Sequence, residues 1–249
     1  MNVIKEFAMY QRRPSVMIGV LSVFTLFLSF YFTAGNVYAE QCDSFLSCCD
    51  CDTPCRQFYL GTIVGAGFGT LDKTDALTTV PNQSLFTAGG TAGVRSFREN
   101  GALRVEFEGR GRDVIGRNET GFGETVNSSA KFGWSAMANV WRDWDVIGDV
   151  DIYAGGGIGA GGYRSVISST SGLFSGDNNV AAFAWQAGGG LIYDVSNRMA
   201  IDLGYRFFSI TDTAQQFDVF GTQTPYTSNY AASEVLLTVR IYEPFRRWR

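Results

Sequence analysis

The sequence of 249 residues contains no histidine and only three lysines. Histidine is the usual general base near neutral pH and the commonest metal ligand in proteins. Its absence excludes Ser-His-Asp and Cys-His catalytic sites and zinc sites of the HExxH type. No glycine-rich GxxxxGK[ST] phosphate-binding loop occurs in the chain either. We therefore expect a protein that is not an enzyme and that needs no cofactor.

Glycine and aromatic residues are abundant instead. The chain has 30 glycines and 14% aromatic residues, with 45% hydrophobic and 18% charged residues. Glycine weakens the interior of helices, but a sheet uses it where a neighbouring side chain needs room. The composition therefore favours β structure, and the length favours one domain with appendages. The net charge of −4 argues against nucleic acid as a partner.

The N-terminal segment has the pattern of an export signal. A basic start is followed by an uncharged, mostly apolar run from Ser15 to Ala39, which ends in the small-x-small motif Val37-Tyr38-Ala39. We predict a helical signal peptide over residues 1–39, with cleavage between Ala39 and Glu40. An uncleaved anchor is the alternative, because an apolar run of about 19 residues could span a bilayer.

All five cysteines lie in the short segment that follows the predicted cleavage site, at Cys42, Cys48, Cys49, Cys51 and Cys55. Residues 40–57 are therefore interpreted as a Cys-rich periplasmic tether. In an oxidising compartment such a cluster favours disulfides, and the odd thiol could support disulfide-linked self-association. A metal-binding thiolate cluster is the alternative reading of the same residues.

From residue 58 onward, apolar residues alternate with polar or small residues at a period of two, which is typical of strands with two different faces. The clearest case is the segment 103–112. Leu103, Val105 and Phe107 share one face. The other face is wholly charged and contains Arg104, Glu106, Glu108, Arg110 and Arg112.

Eight such segments can be counted, at 58–68, 87–97, 102–112, 131–142, 150–164, 182–194, 199–210 and 232–244. Their length matches strands that cross a membrane at a tilt. Short connections, such as the turn Asn100-Gly101, alternate with long ones at 69–86, 113–130, 165–181 and 211–231. This pattern predicts an all-β fold: an eight-stranded antiparallel up-and-down transmembrane β-barrel over residues 58–245, with a short basic tail at 246–249.

The interior of an eight-stranded barrel is just wide enough for side chains to fill it. The charged faces therefore predict a packed polar lumen, built from Arg104, Glu106, Glu108, Arg110, Arg112, Asp202, Arg206, Glu234 and Arg240. Small residues should leave room for these arginines, namely Gly155, Gly157, Gly159, Gly188 and Gly190. Aromatic residues near strand ends, including Tyr59, Trp141 and Phe208, are predicted to form interfacial girdles.

Two consecutive segments resemble a known family. Residues 183–195 (FAWQAGGGLIYDV) and 199–208 (MAIDLGYRFF) closely resemble the last central hairpin of small outer-membrane β-barrel proteins of the opacity-type surface-antigen class, relatives of the OmpA barrel. The resemblance extends more loosely over 58–245. It implies a barrel in the outer membrane of a Gram-negative-type bacterium, often a surface antigen, with no catalytic residues. It also implies a C-terminal signal for the barrel-assembly machinery, here Val239, Ile241 and Phe245.

These observations predict a non-catalytic integral outer-membrane protein whose partners are membrane lipid and the assembly machinery. Its role would be structural, or that of an antigen or adhesin acting through four long extracellular loops. One alternative is a soluble exported β-barrel that binds a small apolar ligand, in which the apolar faces would point inward and the charged faces outward. A narrow pore of low conductance is the other alternative.

Overall fold

The computed structural model describes residues 56–74, 80–98, 100–121, 124–172, 174–219 and 221–245. The predicted signal peptide, the cleavage site at Ala39 and Glu40, the five cysteines and the basic tail lie outside these residues. The described part is made of nine strands: β1 (Arg56–Thr74), β2 (Val80–Arg98), β3 (Gly101–Arg112), β4 (Ile115–Gly121), β5 (Glu124–Ile147), β6 (Val150–Ser169), β7 (Phe174–Ser196), β8 (Met199–Val219) and β9 (Thr222–Tyr242). A search of this part found no helix with the length and apolar character needed to span a membrane.

The strands form one closed antiparallel sheet. Their order is β3-β2-β1-β9-β8-β7-β6-β5-β4, and pairing of β3 with β5 closes the ring. β3 and β4 both pair with β5 and are separated only by Asp113 and Val114, so they act as one interrupted strand. The predicted eight-stranded up-and-down barrel is therefore confirmed.

The register fixes the tilt of the strands. Moving from Phe58 to the residue opposite on each successive strand leads once around the barrel and back to β1 at Phe68, ten residues further on. With a rise of about 3.3 Å per residue and about 4.8 Å between strands, this stagger corresponds to a tilt of about 40°. Each residue then advances about 2.5 Å along the barrel axis.

The two faces of the wall have opposite chemistry. Val105 is 55% exposed and Leu203 is 52% exposed, whereas their neighbours Arg104 and Asp202 are at most 1% exposed. The outward apolar side chains form a band that on β7 runs from Phe183 to Val195, about 30 Å along the axis. Apolar residues therefore face outward and charges face inward. This contradicts the alternative of a soluble carrier with an apolar lumen.

We call the end of the barrel toward Phe68 on β1 the upper end. The upper edge of the apolar band is formed by a girdle of outward side chains at one level along the barrel axis. When the register is combined with the tilt, Phe68, Phe86, Val114, Phe132 and Phe183 fall within about 5 Å of one another along the axis. Their exposed fractions lie between 46% and 71%. We call this set the upper girdle. It marks where an apolar environment ends and water begins.

The strands are much longer than predicted, and the prediction of four long loops is wrong. Strand β5 has 24 residues and β7 has 23, so most of 69–86, 113–130, 165–181 and 211–231 belongs to strands that continue above the upper girdle. The physical reason is that ladder hydrogen bonds stabilise a strand in water without any apolar face. In these segments the inward positions hold serine and glutamine as well as apolar side chains, so the apolar alternation is weak and sequence alone gives them the appearance of loops. We call this part above the girdle the crown.

The wall of the crown has two openings in the described ranges. β2 leaves its neighbour above Thr87, because residues 80–86 pair with β1 but not with β4. β7 and β8 are paired at Ser175 and again at Ala184, but not over the residues between. The crown therefore consists of two four-stranded sheets, one formed by β4 to β7 and the other by β8, β9, β1 and β2.

Candidate functional site: the lumen and the crown

The lumen contains a balanced set of buried charges. Six arginines and six carboxylates are buried among the described residues: Arg95, Arg104, Arg110, Arg112, Arg206 and Arg240, with Glu106, Glu108, Asp143, Asp151, Asp202 and Glu234. Isolated charges cannot be carried into a region of low dielectric constant without partners. The equal numbers let the lumen hold this many ions at no net charge.

The centre of the network joins β3 to β8 and β9. The guanidinium of Arg110 donates to Glu108 at 2.7 Å, to Glu234 at 2.5 Å and to the Gln186 carbonyl oxygen at 2.6 Å. Arg112 donates to both oxygens of Glu234, at 2.9 and 3.2 Å. Such a two-oxygen contact is the strongest geometry for an Arg and carboxylate pair.

Arg206 completes this central cluster from the opposite wall. Its Nη1 donates to Glu108 Oε2 at 2.5 Å and lies 3.8 Å from Glu106 Oε1. Its guanidinium also stacks on the ring of Trp141, with 4.1 Å between the guanidinium carbon and the ring centroid. The cation thus has two carboxylates and an aromatic face as partners.

Glu106 is held mainly by neutral donors. Tyr59 Oη and Trp141 Nε1 each donate to it at 2.7 Å, and Asn139 Nδ2 donates at 3.2 Å. The nearby Arg104 directs its Nε to both oxygens of Asp143, at 2.8 and 2.9 Å. These contacts explain why two large aromatic residues are fully buried inside the barrel.

The lower end of the lumen contains two more ion clusters. Asp202 accepts from Tyr153 Oη at 2.8 Å and from Arg240. Arg95 donates to Asp151 at 2.5 Å and to Asp194 at 3.1 Å. Some buried nitrogens have no hydrogen-bond partner in the described part, among them both Nη atoms of Arg104, although Nη1 lies 3.6 Å from Glu106 Oε2, and the Nε of Arg240. Buried groups of this kind ordinarily bind ordered water.

Above the charges, the lumen is apolar. A cluster of buried side chains fills the section near the upper girdle and includes Leu71, Met137, Phe208, Ile210 and Tyr230. The predicted packed polar lumen therefore does not extend into this section, where inward positions change from charged to apolar.

Inside the crown the two sheets touch across the lumen. Tyr163 Oη lies 2.7 Å from Ser228 Oγ, and Ser165 Oγ lies 3.1 Å from Tyr226 Oη. Higher up, Phe217 packs against the ring of Tyr226 with Ile167 beside them. Small residues on one sheet therefore meet tyrosines on the other, and the crown is a packed sandwich.

The structure places all nine residues of the predicted polar network in the lumen, each at most 5% exposed. Of the residues predicted as an assembly signal, Val239 and Ile241 face outward, and the Phe245 ring stacks on Phe58 with centroids 6.1 Å apart. The thiolate cluster cannot be placed. In the ranges that the structure describes, no group of His, Cys, Asp or Glu could hold a metal ion.

Two predictions about individual side chains are wrong. Tyr59, Trp141 and Phe208 do not belong to a girdle, because they occupy inward positions and are fully buried. Of the five glycines, only Gly188 leaves room beside an arginine, since an added Cβ would lie 3.2 Å from Arg206 Cγ. An added Cβ at Gly157 would lie 1.9 Å from Asn139 Oδ1. The space beside the other four glycines is therefore taken by neutral side chains or by backbone.

Three buried charged residues were missed by the sequence reasoning: Arg95, Asp143 and Asp151. All three occupy inward positions near the lower ends of their strands. Arg95 has the same parity as the buried Thr91, which is the one signal that could have identified it. The neutral partners Asn139 and Gln186 carry no sequence signal of their role, because only the folded register brings them beside Glu108.

Together the closed sheet, the outward apolar band and the ion-filled lumen define the class: the protein is a β-barrel of the outer-membrane type. No protein-family model matches the chain, and no curated protein matches it.

Solved structures that it resembles include neisserial surface protein A, with 17% identity and a TM-score of 0.42 over 74% of this chain and 96% of that chain. Ail, the attachment invasion locus protein of Yersinia pestis, has 14% identity and a TM-score of 0.35 over 72% and 97%. OprG from Pseudomonas aeruginosa has 9% identity and a TM-score of 0.40 over 72% and 95%. With TM-scores below 0.5, these likenesses concern the general architecture only.

Proposed function

We propose that the protein is a closed, non-catalytic barrel of the bacterial outer membrane that displays its crown on the cell surface as a structural element, antigen or adhesin. The packing of the lumen carries this proposal. Twelve paired charges and an apolar cluster fill it within the apolar band and at its upper edge. A barrel filled in this way acts through what it presents outside the membrane.

Display at the surface can be tested by labelling. Ser171 lies exposed in the turn between β6 and β7 at the top of the crown. In intact cells, a membrane-impermeant maleimide should label Ser171→Cys but not the parent protein, whose cysteines we place in the periplasm. Equal labelling of both proteins, or labelling only after the cells are broken, would contradict the proposed orientation.

Closure can be tested by conductance. The purified barrel in a planar lipid bilayer should give no stepwise current, because ions cannot pass a lumen filled with side chains. Steady unitary currents from the parent protein would instead establish the narrow pore. The buried pairs on β3, β8 and β9 would then be its constriction.

Two partners complete the proposal. The barrel-assembly machinery would recognise the end of β9, where Val239 and Ile241 present apolar side chains outward and Phe245 follows them. The cysteines of the tether would link neighbouring copies by a disulfide. Support for the second partner comes from the odd number of thiols in an exported chain.

A further inference from the structure

A groove opens on the outer wall immediately above the upper girdle. It has a volume of about 400 Å³ and is lined by Gln83, Val114, Gly116, Asn118, Asn127, Ser129 and Lys131. It exists because β2 and β4 are not paired there. The Gln83 side chain takes the place of a strand partner: it accepts from the Gly116 amide at 2.8 Å and donates to the Gly116 carbonyl oxygen at 2.5 Å.

The lining of the groove combines neutral hydrogen-bonding groups with one cation. Asn118, Asn127 and Ser129 supply amides and a hydroxyl, and Lys131 supplies an ammonium. In the described ranges Lys131 makes no hydrogen bond or ion pair. The cation opposite it on β6, Arg164, is already paired with Asp177. This pair lies outside the apolar band, and the hydrogen bond from Arg164, together with the charges of Arg164 and Lys131, lowers the pKa of the Asp177 carboxyl.

The residue after Lys131 is held in an unusual conformation. Phe132 has φ of +54°, which is uncommon for a residue with a bulky side chain, and its ring is 71% exposed. It lies in a β-bulge of β5, between Lys131 and Trp134. In a regular strand, neighbouring side chains point to opposite faces. The bulge instead places the Lys131 ammonium and the Phe132 ring together on the outer wall.

The order of these groups along the axis matches one kind of molecule. The Phe132 ring and Val114 lie at the edge of the apolar band, Lys131 lies one residue higher on β5, about 2.5 Å further along the axis than Phe132, and the amides lie higher still. A membrane lipid that carries a phosphorylated sugar presents acyl chains, phosphate and hydroxyl groups in that same order. The strained backbone of Phe132 fits this reading, because strained residues are concentrated at sites that bind ligands.

We propose that this groove binds the phosphorylated sugar headgroup of a glycolipid in the outer leaflet. The Lys131 ammonium would pair with the phosphate, the amides would bind sugar hydroxyls, and the Phe132 ring would pack on the first part of an acyl chain. The site rests on the proposed membrane placement, since only a barrel inserted at the level of its upper girdle brings the groove to the headgroups.

The test uses the full-length barrel in phosphatidylcholine nanodiscs that contain either diphosphorylated lipid A or its dephosphorylated form. The lipid that stays with the protein is measured by native mass spectrometry. We expect the diphosphorylated lipid to be retained at least tenfold more than the other, as for one charge-assisted hydrogen bond. Lys131→Gln should abolish this preference. Arg142→Gln is the matched control: it removes an outward cation of the same strand near the opposite edge of the band.

A second variant separates binding from folding. Phe132→Gly removes the ring at a backbone angle that glycine adopts freely, so the barrel should fold as well as the parent while it retains less lipid. A barrel that inserts but retains both lipids equally, or equal losses in Lys131→Gln and Arg142→Gln, would overturn the site alone. A barrel that does not insert into any nanodisc would overturn the membrane placement and the site with it.

Discussion

Replacement of Arg206 by leucine would test whether the ion network stabilises the barrel. Glu108 would lose its partner at 2.5 Å, and Trp141 would lose the guanidinium stacked at 4.1 Å. Removal of one member of a buried ion pair costs about 3–5 kcal/mol, because the remaining charge stays buried without a partner. Glu108 keeps Arg110 at 2.7 Å and Gln186 at 3.1 Å. We therefore expect the lower end of the range, about 3 kcal/mol.

The measurement is equilibrium unfolding by urea of the barrel in phospholipid vesicles, followed by tryptophan fluorescence. The midpoint should fall at an unchanged slope. Arg164→Leu is the control, because this arginine belongs to an exposed ion pair whose loss should leave the midpoint where it was. Adding Glu108→Leu to Arg206→Leu should cost less than the sum of the two single changes. An unchanged midpoint in Arg206→Leu would refute the reasoning.

Three further predictions concern the wall, the crown and the tether. Leu203→Arg places a cation on the outward apolar face and should cost about 2–4 kcal/mol in vesicles; the same urea titration measures it, and no loss would contradict a lipid-facing position. Asn178 donates to the Gln216 carbonyl oxygen and Thr211 to that of Phe183, so the two side chains hold the β7/β8 opening at its ends. Amide hydrogen exchange in 176–183 should therefore become faster in Asn178→Ala/Thr211→Val and stay unchanged in 186–192; equal rates in variant and parent would exclude this role. On non-reducing gels the mature protein should run partly as a dimer that reductant removes, and a monomer in both lanes would exclude self-association through the cysteines.

Much of the barrel could be predicted from the sequence, because successive side chains of a strand face the lumen and the lipid in turn, and the two environments select charged and apolar residues. In 103–112 every second residue is charged, and this period alone assigns Arg104, Glu106 and Glu108 to one face. The other face is apolar and must lie against lipid, so the charged face is the one that lines the lumen. The number of strands follows from the same alternation, since each crossing of an apolar band needs its own segment.

The crown could not be predicted in the same way. Ser165 and Ser228 occupy inward positions between larger buried side chains, and such serines interrupt the apolar alternation that would have marked a strand in the sequence. Whether β2 pairs with β4 depends on residues more than thirty positions apart. The prediction that Tyr59 and Trp141 belong to a girdle failed because aromatic residues are common in girdles. Their inward positions within the strands instead bring both rings to Glu106.

The sequence separation of the ion pairs bears on how the barrel assembles. Glu108 and Arg206 are 98 positions apart in the chain, and Arg110 and Glu234 are 124 positions apart. These partners cannot meet until β8 and β9 have joined the sheet, and contacts between distant residues form late. A half-assembled barrel would expose unpaired charges of β3 to lipid at a high cost. Ring closure and neutralisation of the lumen should thus be one kinetic event, which disfavours open intermediates within the membrane.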